Sequence, residues 1–92
     1  MLNSIEVKLL ITIIEACKIA TQERNEPYIG IITDIGHSYV IDTVSENGET
    51  PDMPSCMVNK KSGKTSICFV PDYWEELQKG KNITIPKEYQ YK

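Results

Sequence analysis

The sequence contains few of the residues from which catalytic or metal sites are built. It has one histidine, His37, and three cysteines, Cys17, Cys56 and Cys68, with no C-x-x-C pair among them. A disulfide framework needs paired cysteines, and a zinc site needs ligands at short spacing. Phosphate-binding loops, dinucleotide fingerprints and the H-E-x-x-H motif are also missing from the sequence. We therefore expect no catalytic residue, no metal and no cofactor, and we predict that the protein is not an enzyme.

Long apolar runs are lacking as well. A membrane span needs about 20 apolar residues, and the apolar N-terminal segment is interrupted by Glu6, Lys8, Glu15 and Lys18. No basic stretch precedes that segment, as it would in a signal peptide. Each cysteine lies beside apolar residues, which is typical of small buried side chains in a reducing compartment. The sequence therefore predicts a cytoplasmic protein that has no contact with a membrane.

The length and composition predict a single domain over residues 1–92. The chain has a mass of 10.5 kDa, 40% of its residues are hydrophobic and 25% are charged. A domain of this size buries about 60% of the surface of its unfolded chain, so a core without disulfides or metals is feasible. The length excludes a two-domain enzyme with a cofactor cleft between the domains.

Charge is distributed unevenly along the chain. The net charge is −3, but residues 1–59 carry −6 and residues 60–92 carry +3. Between Asn25 and Asn59 there are six acidic residues and no lysine or arginine. The net negative charge disfavours nucleic acid as a partner. The acidic stretch has two interpretations that the sequence leaves open, namely a solvated surface that aids solubility and a surface that attracts a basic partner.

A long helix is predicted at the N-terminus, from Ser4 to about Gln22. Asn3 followed by Glu6 has the spacing of a capping box, and apolar residues recur at helical spacing from Ile5 to Ala20. Pro27 ends this segment. The helix has a wide apolar face, which suggests burial against a sheet and against a second copy of the chain.

The remainder of the chain predicts four strands, a short helix and a last extended piece. β-Branched and aromatic content, together with turn residues, gives their bounds as 28–35, 38–44, 56–59, 64–70, 73–78 and 82–85, in chain order. The predicted fold is α+β, in which the long N-terminal helix packs on one face of a four-stranded antiparallel sheet and a short helix lies near the C-terminus. The other face of the sheet would be open or covered by the C-terminal tail.

The candidate partner-binding residues combine acidic and aromatic side chains. Asp34 and Asp42 flank the first hairpin and could approach one another across it. Aromatic rings beside charged residues are common anchors at protein interfaces, although Trp74 could instead hold the short helix on the sheet together with Leu77. The candidates are Asp34, Asp42, Glu46, Glu49, Asp52, Tyr39, Tyr73 and Trp74.

The stretch from Tyr39 to Leu77 resembles a family of small bacterial proteins. Its hairpin reads Val58-Asn59-Lys60-Lys61-Ser62-Gly63-Lys64 and is followed by Pro71-Asp72, which resembles the immunity proteins encoded beside polymorphic or contact-dependent toxins. The resemblance implies a cytoplasmic protein that binds and neutralises a toxin domain, and it assigns no catalytic residue. A similar hairpin occurs in PepSY-like domains, in which a helix also precedes a small antiparallel sheet.

Two functions therefore follow as expectations. The first is an immunity protein whose partner is a cognate toxin domain, for instance a nuclease with a basic cleft, to which an acidic face is complementary. The alternative is a PepSY-like or orphan regulatory domain that forms a homodimer through the broad apolar face of its N-terminal helix.

Overall fold

A computed structural model describes residues 10–91 of the protein. Within these residues the chain forms two α-helices and five strands, with 3-10 turns at Val70–Tyr73 and Lys87–Tyr89. In chain order the elements are α1 (Ile13–Arg24), β1 (Tyr28–Asp34), β2 (Ser38–Val44), β3 (Ser55–Asn59), β4 (Thr65–Cys68), α2 (Trp74–Lys79) and β5 (Lys81–Asn82). Neither helix in residues 10–91 is long and apolar enough to cross a membrane.

The five strands form one antiparallel sheet in the order β4-β3-β2-β1-β5. The first four strands follow the chain as a meander, which confirms the predicted α+β class and the antiparallel sheet. The last extended piece was predicted over 82–85 but not as part of the sheet, whereas the structure has a fifth strand at Lys81–Asn82. It pairs with β1 through Thr33–Asn82 and Asp34–Lys81, and two residues are too few to show the alternation by which a strand is recognised.

Helix α1 begins later than the sequence predicted. Thr12 is its N-cap: the Glu15 amide donates to Thr12 Oγ1 at 3.1 Å, and the Thr12 amide donates to Glu15 Oε1 at 2.7 Å. This is a complete capping box, and Leu10 to Thr12 are not helical. The predicted start at Ser4 is therefore wrong for Leu10 to Thr12, because Thr12 caps the helix at this point. The proposed Asn3 cap and residues 4–9 lie outside the described residues.

The main core lies between α1 and the sheet. Helix α1 turns its small residues Ala16, Cys17 and Ala20 toward the sheet, and all three are buried. They pack against the buried strand residues Ile29, Ile32, Tyr39, Ile41, Cys56 and Val58. The C-terminal segment completes this core with the half-buried side chains of Ile83, Ile85 and Tyr89. The tail therefore covers the same face as α1.

A smaller core covers the opposite face of the sheet. Val40, Met57 and Cys68 are buried there, with Tyr73 and Leu77 of the α2 segment and Ile35 packed against them. The predicted short helix is confirmed. This face was expected to be open or covered by the C-terminal tail, but the α2 segment covers its centre instead.

A β-bulge at Gly30 allows β1 to place two side chains, three residues apart, in the main core. Ile29 is opposite Thr43 and Ile31 is opposite Asp42, so Gly30 is an extra residue in β1. Because of this shift, Ile29 and Ile32 both point toward α1, although they are three residues apart. A Cβ on Gly30 would lie 3.1 Å from Val44 Cγ2, so glycine suits this close approach of two strands.

Candidate functional site

The eight candidate residues do not form one surface, because the sheet separates them. Strand β2 runs from the Gly36-His37 turn at one end of the sheet to the loop 45–54 at the other. We call the end with the turn the basic end, because Lys60, Lys61, Lys64, Lys79 and Lys81 cluster there. We call the end with the loop the acidic end, which carries Glu23, Glu26, Glu46, Glu49 and Asp52.

Asp34 lies at the basic end, where its carboxylate is already bonded to other groups of the fold. Its carboxylate lies 2.8 Å from Lys60 Nζ and accepts a hydrogen bond from the Gly36 amide at 2.8 Å. Partial burial raises the pKa of the Asp34 carboxyl, but the hydrogen bonds from Lys60 and Gly36, with the charges of Lys60 and Lys81, outweigh it, so the pKa lies below its ordinary value. Asp34 is thus a structural ion-pair partner within the fold.

Asp42 lies on the other face of the sheet. Asp34 is opposite Tyr39 on the α1 face, whereas Asp42 is opposite Ile31 on the α2 face. Asp42 is half-buried and accepts a hydrogen bond from the Ser55 hydroxyl. The two carboxylates therefore do not approach one another across the hairpin, because both the face and the end of the sheet differ.

The three candidate aromatic residues have different surroundings. Tyr39 is only 8% exposed, and Lys60 Nζ lies 4.8 Å from the centre of its ring. Tyr39 is therefore a core residue and cannot be an exposed anchor. Tyr73 and Leu77 pack on the sheet, whereas Trp74 remains 58% exposed on α2. Tyr73, and not Trp74, holds the α2 segment in place together with Leu77.

The loop at the acidic end has a defined shape. Ser45 Oγ accepts hydrogen bonds from the amides of Asn47 and Glu49, and the Ser45 amide donates to the Glu49 carbonyl at 2.9 Å. Gly48 adopts a left-handed backbone with a φ of 84°, a conformation that favours glycine. Glu46 and Glu49, and Asp52 further along, are exposed around this turn.

An aromatic contact fixes the same loop to the rest of the molecule. The Tyr91 ring packs so closely on Gly48 that a Cβ on Gly48 would lie 2.7 Å from the ring. Tyr91 also meets Tyr28 of β1 edge to face, with ring centres 5.3 Å apart. The acidic loop is consequently held by the C-terminal segment and by β1.

An open recess of about 450 Å³ lies between the C-terminal end of α1 and the acidic loop. Glu26 and Glu46 both line it. Glu26 Oε1 is shielded from solvent and has no hydrogen-bond partner within residues 10–91. The nearby Arg24 guanidinium is engaged elsewhere, since it donates to the Pro54 carbonyl at 2.6 Å. The recess is therefore acidic and has an unpaired carboxylate oxygen.

Glu26 and Glu23 were not among the sequence-based candidates. Glu23 lies in the last turn of α1 and Glu26 follows its C-cap Asn25. Arg24 joins that helix end to the loop before β3. The sequence did place Glu26 first in the acidic stretch between Asn25 and Asn59, but nothing in it indicated that Glu26 would line a recess. The contact of Arg24 with residue 54 spans 30 residues, and no local pattern reveals it.

The cysteines offer no reactive thiol. All three are buried, and burial raises the pKa of Cys17 to about 11 and also raises the pKa values of Cys56 and Cys68. Because the thiolate is the nucleophile, a raised pKa lowers reactivity. Within the described part of the chain, no three His, Cys, Asp or Glu side chains converge as a metal site would require.

Comparisons with known proteins add no family to this description. No family model matches the chain, and neither the curated proteins nor the solved structures contain a match to it. Function is therefore inferred from the geometry and charge of the site.

Proposed function

We propose that the protein is a non-enzymatic binding protein, an immunity protein that neutralises a cognate toxin domain by covering a basic surface with its acidic end. The observation that carries this proposal is the acidic recess between α1 and the loop, where Glu26 Oε1 is unpaired. An unpaired buried oxygen is costly in the free protein. Glu26 Oε1 is shielded from solvent, so a partner's donor satisfies it once the Glu26 side chain turns toward the recess.

A lysine or arginine side chain of the partner suits this recess. Glu26 and Glu46 line the recess from two separate segments, so both carboxylates would attract a cation inserted there. Hydrogen bonds between ionised groups are about twice as strong as neutral ones. The exposed Glu23, Glu49 and Asp52 add negative charge to the same end of the molecule.

The rigidity of the acidic loop also supports binding. Ser45 closes the turn with hydrogen bonds, and Tyr91 holds Gly48 in place. A surface that is already ordered loses less conformational entropy when it binds. The loop therefore presents Glu46 and Glu49 in one arrangement before the partner arrives.

The proposal favours a partner with a basic functional cleft, such as a nuclease domain. Negative charge concentrated at one end steers a molecule toward such a cleft and raises the association rate. Asp34, Asp42 and Tyr39 are not part of this binding surface, because the fold already engages them.

The test is binding kinetics against the toxin domain encoded by a neighbouring gene. The double variant Glu46→Gln/Glu49→Gln should associate about 10-fold more slowly than the wild type at low salt, because exposed charges act by steering. The difference should shrink near 1 M salt, where the Debye length falls to about 3 Å. Glu26→Gln should instead increase the dissociation rate, because Glu26 contacts the inserted cation.

The matched control is Glu75→Gln/Glu88→Gln, which removes the same charge from exposed residues outside the acidic end. The association rate of this control should fall much less than that of Glu46→Gln/Glu49→Gln. Equal losses in the two double variants would contradict the assignment of the acidic end. A neighbouring toxin domain that shows no binding to the wild type would contradict the immunity function itself.

A further inference from the structure

Strand β4 forms an edge of the sheet. It pairs with β3 on one side, and no strand within residues 10–91 pairs with its outer side. Natural edge strands are protected by charges, prolines or bulges, because their free amides and carbonyls can pair with another chain. The strand reads Thr-Ser-Ile-Cys from Thr65 to Cys68 and contains none of these protective features.

Exposed apolar side chains follow this edge. Ile67 is 59% exposed, Phe69 is 56% exposed and Val70 is 44% exposed. The three lie within four consecutive residues of the chain. Apolar side chains along an unpaired strand favour addition of another strand, in which main-chain hydrogen bonds supply affinity and side chains supply specificity.

We propose that the outer edge of β4 pairs in antiparallel fashion with β4 of a second copy of the chain, so that two sheets join into one. The backbone supports this pairing. The Asn59 amide donates to the Lys64 carbonyl, and hydrogen-bonded pairs alternate along an antiparallel ladder. The pairs Met57–Ser66 and Ser55–Cys68 then bond inward, which leaves the amides and carbonyls of Thr65 and Ile67 directed outward.

A twofold axis at Ile67 uses these outward groups. The two copies of Ile67 would lie opposite each other and exchange two hydrogen bonds, while Thr65 of each copy would lie opposite Phe69 of the other. Ile67 is opposite Cys56 and therefore shares the α1 face of the sheet. The exposed Ile67 and Phe69 side chains of the two copies would meet on that face, and such cross-strand apolar pairs stabilise a sheet.

Charge favours a second copy in the antiparallel direction. Lys64 precedes β4 and is exposed, while the exposed Asp72 follows it by one turn, its amide donating to the Phe69 carbonyl at 3.0 Å. In an antiparallel pair, Lys64 of each copy lies near the C-terminal end of β4 of the other copy. Asp72 of that other copy follows this strand end. In a parallel pair, the two Lys64 side chains would lie together.

This dimer does not depend on the proposed function. The acidic end lies at the β2–β3 loop and the end of α1, so both copies would keep it exposed. The contact also differs from the one that the sequence suggested, since α1 turns Ala16, Cys17 and Ala20 toward its own sheet.

Sedimentation over a range of concentrations tests the proposal. The wild type should reach twice the chain mass of 10.5 kDa. Ile67→Lys should raise the dimer dissociation constant at least about 10-fold, which is about 1.4 kcal/mol. The matched control is Ile31→Lys, because Ile31 is 53% exposed but lies in β1, which is paired on both sides. The control should dimerise like the wild type.

Further variants separate loss of pairing from loss of folding. Ile67→Pro removes an outward amide while leaving the inward ladder bonds intact, and proline is tolerated at such edge positions. Lys64→Glu and Asp72→Lys should each weaken the dimer, and the two changes combined should restore it. Circular dichroism confirms that each variant is folded.

The proposal is overturned if the wild type still sediments at 10.5 kDa at a chain concentration of about 1 mM. A dimer with a dissociation constant above about 1 mM is too weak to count as specific pairing. A dimer that Ile67→Lys and Ile31→Lys weaken equally also overturns it. Failure of the charge swap to restore the dimer excludes the antiparallel arrangement.

Discussion

Lys60 connects three parts of the fold at the basic end. Its carbonyl accepts a hydrogen bond from the Ile11 amide at 2.8 Å, its ammonium pairs with Asp34, and the same ammonium lies over the Tyr39 ring. Lys60 is largely buried and Asp34 is half-buried, so solvent screens this pair less than an open surface pair. In the sequence Lys60 is only one of the lysines in the hairpin from Val58 to Lys64, and its partner 26 residues away was not visible.

The variant Asp34→Asn should lower the free energy of unfolding by about 0.5–1 kcal/mol near neutral pH. Asparagine retains an acceptor for the Gly36 amide and removes only the charge. Because the pKa of Asp34 is lowered in the fold, its contribution is present above the unfolded pKa and is lost as the pH falls through the folded pKa. Urea unfolding at neutral and at strongly acidic pH measures this.

The difference from the wild type should therefore disappear at acidic pH. Asp52→Asn is the control, since Asp52 is exposed and has no hydrogen bond to its side chain within residues 10–91. A stability difference for Asp34→Asn that persists unchanged at strongly acidic pH would show that the ion pair is not its source.

At the scale of elements, helix α1 lies against the sheet through residues that have little volume. Ala16, Cys17 and Ala20 are at most 1% exposed, and the sequence predicted this face correctly from helical spacing. Small side chains allow the backbone of a helix to approach a sheet closely. The contact consequently has little space for a larger residue.

The substitution Ala16→Leu should destabilise the protein by about 1–3 kcal/mol, because added volume in a packed interior forces neighbouring side chains apart. The matched control is Lys18→Leu, which introduces the same side chain at an exposed position of the same helix. Urea unfolding compares the two variants. Equal stability of Ala16→Leu and the wild type would mean that the interface has unfilled space.

The elements differ in how well local sequence specified them. The four meander strands have β-branched residues and turn signals, and the helical stripe of α1 is regular, so periodicity was sufficient. Helix α1 starts at Ile13 because Thr12 forms a capping box. The apolar residues before Thr12 also fit a helix, so the sequence did not decide between this capping box and the earlier one predicted at Asn3. Strand β5 and the Gly30 bulge depend on pairing with β1, and pairing between distant strands is not encoded in any single window.

At the scale of the whole molecule, the candidate site was predicted only in part. The acidic stretch between Asn25 and Asn59 correctly indicated where negative charge accumulates. Which carboxylates remain free was decided by tertiary contacts: Asp34 meets Lys60 and Asp42 meets Ser55. The fold also places Glu26 and Glu46 in the lining of one recess. Of the predicted acids, Asp42 lies toward the acidic end but is bonded to Ser55, and Glu46, Glu49 and Asp52 are exposed there.

Tyr91 connects the C-terminal segment, β1 and the acidic loop, so its removal should also make the acidic loop less ordered. Tyr91→Ala should cost about 0.5–1.5 kcal/mol through loss of the aromatic pair with Tyr28. Amide hydrogen exchange should become faster at Gly48 and Glu49, whose amides are bonded to Ser45. Tyr91→Phe keeps the ring and is the control. Unchanged exchange in Tyr91→Ala would show that Ser45 alone orders the loop.

The separation of charge between the two ends of the sheet also gives the molecule a permanent dipole along its strands. Strand β2 has seven residues, so the ends are separated by roughly 23 Å. In the field of a basic partner, such a dipole experiences a torque that turns the acidic end forward before contact. Fewer collisions then occur in the wrong orientation, so the advantage in association exceeds what a uniformly spread net charge of −3 would provide.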